Sequence, residues 1–211
     1  AARFTDFSPR ETARRALDFY NARDLSRFEC MAGALDTVCV DKETSGPLII
    51  GALMLYEETG DAACLRAAED AAYYFCSWMY HYRAHYARES DFRQYGFDTA
   101  GGTAVSVQHH HMDPWGAFVA GWLLRLARHT NNASWRRRAH MLYANATQCV
   151  TRAGGPRIHG HDRPLGSQNE AFFQCRWSGE PGDMNDWLVA WPGAFRLYAL
   201  EMAEELGETY R

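Results

Sequence analysis

The sequence has no long apolar run: no stretch of about 18 apolar residues occurs among its 211, so no segment reads as a membrane-spanning helix. It has little excess of either charge. The 22 basic and 26 acidic residues leave a net charge of −4. That balance gives no basis for a nucleic-acid or anionic-membrane partner. It has no CxxC pair among Cys30, Cys39, Cys64, Cys76, Cys149 and Cys175, which argues against a structural zinc site. Cys64 and Cys76 fall within one expected helix, about 18 Å apart, too far to bridge. Cys30 and Cys39 flank a loop at a spacing that permits a disulfide, and the others read as buried thiols. Strand-like alternation is scarce, with Thr103 to Gln108 the only plausible extended run. The first residues, Ala1 to Asp6, lack both an initiator Met and the apolar core of a signal peptide. The expectation is a processed product or a fragment, with the compartment left open.

What is present in quantity is aromatic and imidazole side chain. Aromatic residues make up 14%, including seven Trp and eleven Tyr, and there are nine His. Exposed aromatics suit the apolar faces of sugar rings, and a large aromatic core explains them equally well. The sequons at Asn132 and Asn145 matter only in a eukaryotic secretory setting.

Helical periodicity dominates. Ser8-Pro9 reads as an N-cap followed by a first-turn proline, opening a helix to about Arg23 with Ala13, Ala16, Leu17 and Tyr20 on one face. Further helices are expected over about 45–59, 62–82, 114–129, 133–151 and 187–206. A shift of 70 residues places Gly51-Ala52-Leu53 on Gly121-Trp122-Leu123, and the turn at Thr59-Gly60-Asp61 on His129-Thr130-Asn131. A shift of 147 places Glu57–Asp61 on Glu204–Glu208. Each copy reads as a helix, a short polar turn and a second helix. The spacing therefore predicts an all-α chain of helical hairpins forming a single domain over 1–211. The connections between copies, roughly 83–112 and 152–186, are long. Loops of this length in a compact domain are usually functional or disordered, and hairpins packed side by side would gather them on one rim.

Polar clusters fall on that rim: Asp41-Lys42-Glu43, Asp98 to Thr103, Gln108-His109-His110-His111 with Asp113 and Trp115, and the last loop with His159, His161, Gln168-Asn169-Glu170, Arg176-Trp177, Asp183 and Asp186. Asp41, Asp113 and Asp186 also stand where helix N-caps are expected. His109 and His111 would point together in extended chain, which suits zinc if His159 or His161 joins them. Proton transfer, substrate hydrogen bonding and plain polar packing are the other readings of the triple histidine. A glycosidase needs two carboxyl groups flanking the scissile bond. Glu170 is the first choice, since it lies in a long loop with no obvious helix to cap. Asp113, flanked by His111 and Trp115, is the second, with Asp41, Glu43, Asp98, Asp183 and Asp186 as the other carboxylate candidates; Glu43, and His111 for proton transfer, complete the catalytic set. Asp41, Gln108, His110, Trp115, Arg176, Trp177 and Asp186 would bind substrate, with Trp115, Trp177 and Arg176 able to hold a sugar or uronate by stacking and charge. No metal or cofactor is expected.

The Asp41-Lys42-Glu43 cluster, the repeated turn, Gly101-Gly102-Thr103 through His111, and Trp187-Leu188-Val189-Ala190-Trp191-Pro192 together resemble the six-hairpin glycosidase-like superfamily over about residues 40–207. The resemblance implies an (α/α) toroid whose inner helices point their N-terminal ends at a central cleft, and activity as a glycoside hydrolase on a polysaccharide or oligosaccharide. It assigns no catalytic pair residue by residue. About three hairpins are legible where a full ring needs six, and an incomplete ring exposes apolar faces that favour a homo-oligomer. The rival readings are a polysaccharide lyase using His110 or His111 with Tyr95 and Arg176, and a non-catalytic helical-repeat module that binds a glycan or a protein.

Overall fold

Helix-forming periodicity carries through to the structure, a computed structural model that describes residues 9–32, 38–176 and 179–210. The chain is mostly helical, at about 52%, with few and short strands. It divides into two units, residues 1–77 and 78–211.

In the first unit, α1 (Pro9–Arg23) is followed by a two-stranded ribbon of β1 (Met31–Ala32) and β2 (Cys39–Val40), then α2 (Ser45–Thr59) and α3 (Ala62–Ser77). The expected cap, Ser8, lies outside the described residues. α1 buries only Leu17, and Ala13 and Ala16, expected beside it, are exposed. The helix is instead pinned by Arg10 to Glu58 and Arg14 to Asp61, at the turn between α2 and α3. α2 and α3 pack on each other and bury Leu48, Ile49, Ala52 and Leu53 on one helix and Cys64, Ala68, Ala71 and Phe75 on the other. The thiols of Cys30 and Cys39 are not joined, and none of the six cysteines is in a disulfide. Burial and the nearby carboxylates of Asp24 and Asp41 push the Cys30 thiol up to about 12, so it stays protonated.

In the second unit, the short helix α4 (Asp91–Tyr95) and strands β3 (Thr103–Ala104) and β4 (Met112–Asp113) precede α5 (Gly116–Thr130) and α6 (Ala133–Ala146). Strands β5 (Gln168–Asn169), β6 (Phe172–Phe173), β7 (Asp183–Met184) and β8 (Leu188–Val189) then lead to α7 (Trp191–Glu205). α5 packs on both α6 and α7. Trp135 of α6 is wholly buried. Gly121 of α5 gives Met202 of α7 close approach: a Cβ there would stand 2.7 Å from the Met202 sulfur.

The internal repeat is real at the level of turn chemistry, but its first offset is 71 residues, not 70, since Ser45 and Gly116 both open 15-residue helices. At this register Gly60 and Asn131 are both left-handed C-caps, with φ of 69° and 50°. Thr59 and Thr130 each return a hydroxyl bond to the carbonyl four residues back, at 2.6 and 2.8 Å. Asp61 and Asn132 each accept the amide two residues on, at 2.8 and 3.0 Å. Buried Leu53 and Leu124, Leu55 and Leu126, and Ala68 and Ala139 then coincide. By the same helix bounds α7 follows α2 at an offset of 146, not 147, since Ser45–Thr59 falls on Trp191–Glu205; Gly60 and Gly207, 147 apart, are both at positive φ. A short strand, β2, β4 or β8, also lies just before α2, α5 and α7, at a different spacing from the helix each time.

Element ends differ from expectation for local reasons. α3 stops at Ser77 rather than Tyr82, because the aromatic run from Trp78 is extended, with Met79 bridged to Thr103 and the Tyr80 amide bonded to Gly102 O at 2.8 Å. α6 stops at Ala146 rather than Thr151, and Cys149 is left-handed at φ 57°. α7 starts at Trp191, since Leu188 and Val189 pair with Asn169 and Gln168, and Pro192 sits in its first turn. α4 was not expected, although Ser90 caps it and Gly96 ends it at positive φ.

The turn before β3 lies flush on α6. At Gly101, φ is +86° and a Cβ would stand 2.1 Å from the carbonyl oxygen of Met141. Gly96 is also left-handed, but a Cβ there meets nothing within 4 Å. Gly101→Ala is therefore expected to cost about 3 kcal/mol or more, and Gly96→Ala about 1 kcal/mol, in urea unfolding followed by circular dichroism. Equal losses at the two positions would contradict the close approach.

Candidate functional site

The long connections of the second unit fold on each other. β3, β4, β6 and β7 form one antiparallel sheet in that order, pairing Thr103 with Asp113, Met112 with Phe172, and Phe173 with Asp183. Beneath them Phe92, Phe97, Met112, Ile158, Phe172 and Met184 make a small core of their own. Three side-chain amides fasten this layer to the end of α6. Asn145 donates to the carbonyls of Asp98 and Ala100, at 2.7 and 3.3 Å. Gln148 donates to Asp98 O at 2.8 Å and accepts the Asp98 amide at 2.7 Å. Gln168 donates to Ala146 O and Gln148 O, at 2.9 and 2.7 Å, and its oxygen accepts from Arg196 of α7. Buried Asn145 is thus committed to structure, as is Asn132, the cap of α6, so neither sequon asparagine is a spare surface amide.

Of the residues singled out in the sequence, Asp41 and Glu43 belong to the first unit and the others to the second. Asp41 is wholly buried, accepts the Glu43 amide and turns the chain into α2. Lys42, the one lysine in the chain, is wholly buried beside it. Asp113 does the same for α5, with its Oδ1 accepting the Trp115 amide at 3.1 Å. The triple histidine forms a tight turn: Ser106 Oγ accepts the His109 amide at 2.8 Å, and the Val105 amide donates to His111 O at 3.1 Å. The His109 and His111 rings stand 6.1 Å apart, and His111 lies edge-on to Phe173. Exposed His110 bonds the Val107 carbonyl through its ring, and its own carbonyl accepts from Gln174. The Gln108 amide donates to Ser106 Oγ at 3.3 Å. Among the described residues no three His, Cys, Asp or Glu side chains are placed to hold a metal ion. Arg176 is exposed and paired with Glu180 at 2.5 Å, and Trp177 lies outside the described residues.

Glu170 stands at the open end of the β5–β8 ribbon. Its amide donates to Trp187 O at 2.9 Å, continuing the pairing of Gln168 with Val189 and Asn169 with Leu188. Residues directly opposite across an antiparallel pair send their side chains to the same side. Glu170 is half-buried and the Trp187 indole is 71% exposed. A line of aromatics follows along α5 and α7: Trp191 against Phe195 at 5.3 Å, Phe195 against Trp115 at 5.7 Å, and Trp115 against Phe118 at 4.7 Å.

A second ionic cluster was legible in the sequence only as separate pieces: Asp183 and Asp186 as rim carboxylates, Tyr95 in the lyase reading and His159 as a candidate zinc ligand. His159 bridges two carboxylates, with Nε2 to Asp91 at 2.7 Å and Nδ1 to Asp186 at 2.6 Å. Arg163 joins Asp186 and Asn169, each at 2.9 Å. Tyr95 Oη accepts the His159 amide at 2.8 Å, and Asp91 accepts the Met184 amide at 2.9 Å. Partial burial works against charge on His159, but the bonds to Asp186 and Asp91 outweigh it and raise its pKa above the usual 6.5. The hydrogen bond from His159 holds Asp186 below the usual carboxylate value. Burial, then the neighbouring Asp91 and Glu180, raise Asp183. The cluster fastens α4, the 158–160 turn and the approach to β8.

No family model, curated protein or solved structure matches the chain.

The two opposite shifts set a pH window for the clamp. The His159 contribution is complete below its ordinary pKa of 6.5 and fades as the pH rises through the raised folded value. The Asp186 contribution is complete above 3.8 and fades as the pH falls through the lowered one. His159→Asn suits the left-handed φ of 53° and removes the imidazole. It is expected to cost about 1 kcal/mol between these limits, allowing for screening at the exposed Asp186, and less as the pH rises past neutrality. Urea midpoints of both proteins across pH 5–9 test this, and a pH-independent difference would refute it.

Proposed function

We propose that the chain is a carbohydrate-active hydrolase built from helical hairpins of an (α/α) toroid, akin to the six-hairpin glycosidases. The observation that carries this reading is Glu170 paired across the ribbon with Trp187, whose indole is exposed. A carboxyl group beside a flat apolar platform is what a sugar ring needs for stacking and proton transfer together. In this reading Glu170 protonates the glycosidic oxygen as the bond to the anomeric carbon breaks. Asp113, fixed by the Trp115 amide at the start of α5, is the second carboxylate, which either activates water or attacks the anomeric carbon. Trp115 contributes the platform along α5. The helix pairs, their shared turn chemistry and the strand before each first helix support the toroid.

The lyase alternative has less support. The Tyr95 hydroxyl is engaged with the His159 amide, and Arg176 is neutralised by Glu180.

The test is release of reducing ends from a panel of oligosaccharides. Glu170→Gln is expected to lower turnover about 10²–10⁴-fold with an unchanged melting curve. Trp187→Ala is expected to raise KM several-fold, for a loss of about 1 kcal/mol of stacking. Full turnover in Glu170→Gln would remove the residue from the mechanism, and an ultraviolet-absorbing unsaturated product would point to elimination instead.

A further inference from the structure

A second feature of residues 78–211 lies apart from the residues assigned above. The segment 83–86 and α4 enclose a cleft of about 320 Å³, with Phe92, Phe97 and Tyr86 among its walls and Arg83, His85 and Arg93 beside them. The aromatic part is rigid, since Phe92 and Phe97 are buried in the small core behind Tyr86, with ring centroids 4.4 Å apart and planes tilted by 39°. Tyr86 is held by a 3.0 Å bond from its hydroxyl to Gln174 O. Asp98, the only acid among the described residues that line the cleft, is committed: one oxygen accepts the Ala100 amide at 3.0 Å and the other holds Arg83 Nε at 2.6 Å. That bond fixes the Arg83 guanidinium while leaving its terminal nitrogens as donors. Arg93 forms no ion pair among the described residues. The nearest acid on its helix, Asp91, is turned to His159. Two guanidinium groups and an imidazole thus face one spent carboxylate, on a chain whose net charge is −4.

We propose that this cleft binds an acidic sugar, its ring against the half-buried Tyr86 and its carboxylate or sulfate on Arg93 and Arg83. Guanidinium forks match the geometry of a planar carboxylate or a sulfate, and the volume, at the small end of ligand pockets, suits the acidic end of an oligosaccharide. The nature of the ring rests on the glycan reading above; recognition of the anion does not.

Calorimetric titration of the whole chain with trigalacturonate, glucose 6-sulfate, inorganic sulfate and cellotriose tests the proposal. At least one acidic sugar is expected to bind about tenfold or more tighter than cellotriose, and the ranking of the first two separates carboxylate from sulfate. Arg93→Ala, an exposed position, should abolish that preference without moving the melting curve, and Arg93→Lys should restore part of it. Equal affinity for cellotriose, or an acid preference that survives Arg93→Ala, overturns the proposal. Glu170-dependent hydrolysis of cellotriose with no acid preference would sink the cleft and spare the hydrolase. Arg93-dependent acid binding with no turnover of any glycan would do the reverse.

Discussion

The loop layer of residues 78–211 depends on how its backbone polar groups are satisfied. Segments this long with only two-residue strands cannot supply enough ladder bonds for themselves, and a buried carbonyl without a donor is costly. The amides of Asn145, Gln148 and Gln168 supply the missing partners. They reach the carbonyls of Asp98, Ala100, Ala146 and Gln148, where a helix end meets two loops. Each amide offers two N–H donors and an acceptor from one side chain, so three residues hold together what a sheet would otherwise need several strands to hold. The placement of Asp98 beside Arg83, and of Glu170 beside Trp187, follows from these anchors.

Much of the helical layout was legible in the sequence, because apolar spacing of three and four residues repeats along each helix and polar turns punctuate it. Thr59-Gly60-Asp61 could be read as a turn, since glycine supplies the left-handed cap. Its counterpart was harder to place. Asn131 does the work of Gly60, and matching residue types rather than cap geometry slipped the repeat by one. The short strands were hidden because two residues carry no period. Helix ends were overrun wherever an apolar residue, such as Met79 or Leu188, was buried or paired in extended chain.

The candidate site was legible only as pieces. Glu170 stood out because no helix needed it, and the ribbon then gave it a tryptophan neighbour. Asp113 and Asp41 proved to turn the chain into α5 and α2, the conventional role weighed for them at the outset. The His159 clamp could not be read, since Asp91 is 68 residues before it and Asp186 is 27 after it, and nothing local marks either as a partner. The cleft near Arg93 is hidden for the same reason: Arg83 and Arg93 lie ten residues apart, and nothing local marks them as lining one cleft.

The recurring helix pair has an evolutionary consequence. Because helix, turn and second helix recur in residues 45–77 and 116–146, duplicating a stretch of about seventy residues copies the support together with the segment that leads into it. Divergence can then concentrate in the leading segments, where connections tolerate change, while the copied helix pairs are kept.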